Sequence, residues 1–95
     1  MSINFQESHT LIMEAQKTIE QIAAGVGEGS PLPEQMQQQM TSVIIETQGI
    51  IGMLVAASEN SLPTSEATSL LKEYHEKNRD LLGTLVELGV VKSAA

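Results

Sequence analysis

Ninety-five residues with a 41% apolar share suit one folded domain and exclude both a two-domain chain and a compositionally disordered one. Five basic against twelve acidic residues, a net charge of −7, oppose binding to a nucleic-acid backbone or an anionic membrane surface. The chain has no cysteine, which removes disulfides, thiolate nucleophiles and zinc–sulfur sites and suits a cytoplasmic protein.

Two turn-rich stretches, residues 25–32 and 59–64, divide the chain into three segments. The first gathers Gly25, Gly27, Gly29 and Pro31, with Pro33 directly after it, and the second is built around Asn60, Ser61 and Pro63; no helix passes through such runs. Each segment between them carries the three-and-four spacing of a helix with one apolar seam. Helix one is predicted over residues 5–24, capped by Asn4 with Glu7 in the capping-box position. Its seam is Ile12, Ala15, Ile19, Ile22 and Val26. Gly25 is expected to close it in the left-handed conformation.

Helix two is predicted over residues 33–58, with Pro33 at its first helical position. Its seam, Met36, Met40, Val43, Thr47, Ile50 and Leu54, is flanked by Ile44 and Ile51, and Ile45, Met53 and Val55 widen the apolar surface further. A helix apolar around most of its circumference is buried on more than one side. Gly49, Gly52 and Ala56 form a small-residue track beside these. Each glycine costs about 1 kcal/mol of helix stability relative to alanine, so two within a turn point to close packing. Helix three is predicted over residues 65–88, capped by Thr64 and stopped by Gly89, with a loose tail over 90–95. Ala67, Leu71, Tyr74, Asn78, Leu81, Leu85 and Leu88 form its seam, and Lys72–Glu76 and Glu73–Lys77 are opposite-charge pairs on its outer side.

The fold this pattern specifies is all-α: a single antiparallel three-helix bundle, up-down-up, with heptad-like packing that an oligomer partner could complete. Phe5 and Tyr74 are the only aromatic residues, so the core is aliphatic and thin for a monomer. The opening decapeptide lacks the basic flank and apolar run of a signal peptide. The most apolar run, residues 49–57, falls short of the roughly 20 residues a bilayer requires.

Reactive groups are few. His9-Thr10-Leu11 resembles the start of a histidine phosphotransfer motif, in which an exposed helical histidine accepts a phosphoryl group. Ile12 and Met13 stand where that family carries its lysine and glycine. His75 lies beside Glu73 and Glu76, but not at the Glu-x-x-His spacing by which bundle helices hold metal. Glu46 interrupts an apolar run at a position flanking the seam. Thr47 and Asn78 fall on seams, where one buried amide fixes helix register. The serines and threonines have no histidine and carboxylate partners in a triad pattern, and the glycines form no phosphate loop.

The expected function is therefore a non-enzymatic helical protein–protein interaction module, an adaptor, chaperone-like or accessory subunit. It would self-associate or grip a partner helix through Ile44, Ile45, Gly49, Ile51, Gly52, Met53, Val55 and Ala56. Neither cofactor nor metal nor small-molecule substrate is expected. The alternative is phosphotransfer through His9 or His75.

Overall fold

In the computed structural model, which describes residues 5–27 and 29–91, the predicted segments form three helices in chain order. These are α1 (Phe5–Gly25), α2 (Glu34–Glu59) and α3 (Ser65–Glu87). The seams face inward as their periodicity requires: Ala15, Ile19 and Ile22 from α1, Met40, Ile50 and Leu54 from α2, and Leu71 and Leu85 from α3 are all buried. Leu88, at the end of the α3 seam, is 58% exposed, because the helix has already turned away.

The core has two apolar halves. One joins Ile19, Ile22, Leu32, Met40, Ile44 and Leu85; the other joins Ala15, Ile50, Ile51, Leu54 and Leu71. Between them Asn78, fully buried, donates from Nδ2 to Thr47 Oγ1 at 2.9 Å and to the Tyr74 carbonyl at 2.8 Å. Thr47 Oγ1 in turn donates to the Val43 carbonyl at 2.7 Å. The pair locks α2 and α3 at one height, which is the register role a seam asparagine plays in coiled coils.

Several local expectations need correction. Pro33 occupies the cap of α2, with extended ψ of 144°, and the helix starts at Glu34. Proline cannot donate from its nitrogen, but its carbonyl accepts from Gln37 N at 3.0 Å. Thr64 does hold the cap of α3, yet its hydroxyl makes no capping bond and is buried without a partner. Gly25 is the last residue of α1, and the left-handed glycines of that turn are Gly27 and Gly29, with φ of 104° and 86°. Gly25 serves close packing instead: a Cβ there would lie 2.7 Å from Val91 Cγ1 and 3.2 Å from Val90 Cγ1.

That contact corrects the loose tail over 90–95, although Val90 folding back onto Leu85 after the Gly89 stop is what a Schellman cap leads one to expect. Val90 and Val91 are not loose but pack on the core half around Ile22 and Leu85. Gly89, at φ 75°, reverses the chain, with Val90 N donating to the Leu85 carbonyl and Gly89 N to the Val86 carbonyl. Those two bonds are the Schellman pattern, which satisfies carbonyls that the helix end would leave free. The proposed Asn4 cap, the Glu7 side chain and residues 92–95 lie outside the described residues.

The first linker is pinned by side chains. Ser30 Oγ donates to the Gly25 carbonyl at 2.8 Å, Gln37 Nε2 to the Leu32 carbonyl at 2.8 Å, and Gln37 Oε1 accepts from Gly27 N at 3.1 Å. With Leu32 buried beneath it, this connection fixes the entry of α2 without a helical cap.

The helices pack unequally. α3 lies closely against both α1 and α2, whereas α1 and α2 touch far less. The bundle is closed on the α3 side and splayed on the other.

Candidate interaction surface

α2 is the helix whose three sides do three things. Its inner side meets α3 through Thr47, Ile50 and Leu54. Its opposite side carries Ile45, Gly49, Gly52 and Ala56, which at 3.6 residues per turn fall within an arc of roughly 60°. All four are exposed or half-exposed, as is Met53 beside them. Ile45 is 61% and Met53 56% exposed, high values for side chains that gain free energy on leaving water. A Cβ built at Gly49 or Gly52 would meet nothing within 4 Å, so among the described residues the glycines serve no packing. No charge interrupts the helix between Glu46 and Glu59.

Ile44 and Ile51, grouped with that surface by composition, are only 8% and 7% exposed and belong to the core halves. They face α1, and they floor the third side of α2. There the splay leaves a groove. At one end a cleft of about 330 Å³ is lined by Gln16, Ile19, Glu20 and Ala23 of α1 and Ile44, Gln48 and Ile51 of α2. At the other end a cleft of about 220 Å³ is lined by Ser8, His9 and Ile12 of α1 and Val55, Ser58 and Glu59 of α2. Ile12 and Gln16 are one turn apart on α1, and Ile51 and Val55 one turn apart on α2, so the two clefts follow one another along a single groove. Val55, 40% exposed, lies between groove and outer face.

The composition of α2 has a second consequence. An 18-residue window of the helix reaches a mean hydropathy of 1.5, enough by length and composition to cross a membrane. The shorter run 49–57 understates this, because Met40, Val43, Ile44 and Ile45 extend the apolar stretch toward the N-terminus. A bundle helix with a buried seam reaches the same value; here only a third of the window is buried. The excess lies on the groove and the outer face.

The titratable groups are dispersed. Glu46 is exposed beside the seam. Among the described residues no three His, Asp or Glu side chains converge as metal ligands would. The Lys72–Glu76 and Glu73–Lys77 pairs do not close to 4.0 Å among the described residues; Lys77 Nζ instead lies 4.7 Å from the centre of the Tyr74 ring. His9 is exposed near the start of α1, at the groove end. His75 is different: its side chain is 12% exposed, Nε2 lies 3.8 Å from Glu14 Oε2, and Nδ1 is buried without a partner. Burial, followed by the nearby Arg79 charge, lowers its pKa below the ordinary 6.5, against the opposing pull of Glu14 and Glu76. His75 is thus a mostly enclosed imidazole between α1 and α3 whose neutral form burial favours, badly placed to accept a phosphoryl group from a partner.

Compared with protein-family models, with curated proteins and with solved structures, the chain matches none.

Proposed function

We propose that this chain is a non-enzymatic helical interaction module that associates with a helix of another protein, or of a second copy, through α2. The observation that carries the reading is the uncharged, solvent-facing row of Ile45, Gly49, Gly52 and Ala56 with Met53 beside it. Its glycines cost stability and pack against none of the described residues. Small residues let a neighbouring backbone approach closely, and the large side chains on either side bury apolar area against it. The test is the double variant Ile45→Lys, Met53→Lys. Its far-ultraviolet circular dichroism should be unchanged, while association of the full chain, read by sedimentation and by capture of a purified interacting protein, should be lost. A variant that keeps every association of the parent would end the proposal.

The exposure of His9 on a helix keeps phosphotransfer as a second reading. Incubation with a small phosphodonor followed by mass spectrometry of the parent and His9→Gln would show a labile adduct in the parent alone.

A further inference from the structure

We infer that the α1–α2 groove is the seat of an amphipathic helix from a partner protein, one whose apolar stripe is flanked by lysines or arginines. The helix takes the fourth position of a bundle for which this chain supplies three. The inference rests on the interaction-module reading but uses a different surface from the outer face of α2.

Shape comes first. The groove floor is aliphatic along its length, with Ile12 and Ile19 on one side and Ile44, Ile51 and Val55 on the other. From Ser8 to Ala23 it follows α1 for about 22 Å, the length of roughly fifteen helical residues. The floor residues recur two turns apart on α1 (Ile12, Ile19) and two turns then one turn apart on α2 (Ile44, Ile51, Val55), a rise that an i, i+4, i+7 stripe on an incoming helix would match.

Charge selects among helices of that shape. Glu20 and Glu59 stand at opposite ends of the rim, Gln16 and Gln48 between them with His9 near Glu59, and among the described residues no lysine or arginine lines either cleft. α2 has three glutamates and no basic residue. Of the described basic residues, Lys72, Lys77 and Arg79 belong to α3, and Lys17 adjoins the α1 rim from outside, in a shallow cleft with Met13, Glu14, Gln16 and Glu20. The groove therefore sits in the negative field of a −7 chain, and a basic helix is drawn to it.

The same charges argue against a second copy as occupant. The exposed apolar row a copy can offer along a helix is the outer face of α2, bounded by Glu46 and Glu59, which would meet the acidic rim; Met13, Leu62, Leu70 and Leu88 are exposed singly. The outer face of α3 has basic residues but no apolar stripe, since every exposed position from Lys72 to Asp80 is charged.

Three eighteen-residue peptides test this on the full chain by fluorescence anisotropy: a leucine stripe flanked by lysines, the same stripe flanked by glutamates, and a scrambled lysine peptide. The lysine-flanked stripe should bind about tenfold or more tightly than either control, with the margin shrinking as salt is raised. Gln16→Lys with Gln48→Lys, both at exposed rim positions, should weaken that binding by a similar factor, and Ile45→Lys should leave it unchanged. Equal binding of the three peptides would overturn the inference. So would indifference to the rim variant. Loss of binding in Ile45→Lys alone would also overturn it, while leaving the α2 interaction face intact as the working surface. A dimer that the rim variant converts to monomer would assign the groove to a second copy and refute the partner helix.

Discussion

Replacing Gly49 and Gly52 together by alanine isolates what those residues are for. Both lie within α2, both are exposed, and a Cβ at either meets nothing within 4 Å. Neither has a positive φ, so alanine adopts the same backbone without strain. The only intrachain effect is then the gain in helix propensity, about 1 kcal/mol for each site. The two sites are i, i+3 neighbours on the helix, so about 2 kcal/mol is the upper bound of the combined gain. For a domain of this size that bound raises the thermal midpoint by roughly 8–16 °C. Thermal and urea unfolding followed by circular dichroism at two protein concentrations measure it. A gain independent of concentration means that the face is free in the isolated chain. An unchanged or lowered midpoint would refute the reasoning, because it would mean that the methyl groups meet something. The same variant should associate more weakly with a partner seated on this face, since each methyl group holds the opposing helix away. Stability and association are thus expected to move in opposite directions.

The Thr47–Asn78 pair invites a double-mutant cycle. Asn78→Leu removes a buried amide whose Oδ1 has no partner and should stabilise the fold by about 1–2 kcal/mol, with Thr47 Oγ1 still bonded to Val43. Thr47→Val strands one amide proton of Asn78 and should cost about 1–2 kcal/mol in the parent but little in the Asn78→Leu background, as urea titration would show. An equal penalty in both backgrounds would disprove the coupling. His75 sets a pH dependence whose sign follows from its lowered pKa. Its full contribution is present above 6.5, and stability falls as pH drops from there through the folded-state value, because the unfolded chain binds the proton more readily. His75→Gln should flatten that part of the pH–stability curve, and an unaltered slope would show that the imidazole does not contribute.

Much of the architecture was legible because apolar spacing reports directly on which side of a helix is buried. Ala15, Ile19 and Ile22 fall on the predicted seam, as do Thr47, Asn78 and Leu85, and all six are buried. The exposure of α2 was legible in part. Ile45, Gly49, Gly52, Met53, Val55 and Ala56 face solvent, whereas Ile44 and Ile51 are absorbed by the core. Periodicity marks a side as apolar; it does not say which neighbour covers it or how far away that neighbour stands. The splay between α1 and α2 depends on how α3 wedges beneath both, a tertiary property with no local signature. Gly25 shows the same limit. Its place after a helix suggests a left-handed turn, but its role is to admit Val90 and Val91, residues distant in the chain.

α2 and α3 differ in a way that bears on where an interacting chain approaches. From Lys72 to Asp80 every exposed position of α3 is charged, and docking there would desolvate those groups at a cost that ion pairing recovers only in part. From Thr47 to Ser58 no residue of α2 is charged, and covering it removes apolar area from water with no such penalty. α3 therefore has the chemistry of a helix at the edge of an assembly and α2 that of a helix inside one. A monomer leaves α2 with one closed side, one half-open groove and one bare face, and its aliphatic core has little stability in reserve. Completing those two surfaces gains the most free energy where this chain has the least, so folding stability and partner occupancy should rise together by mass action. The two surfaces gain in different ways: a helix on the outer face covers Ile45 and Met53, 61% and 56% exposed, whereas one in the groove finds Ile44 and Ile51 already buried and stabilises the fold by bridging α1 to α2 where they touch least.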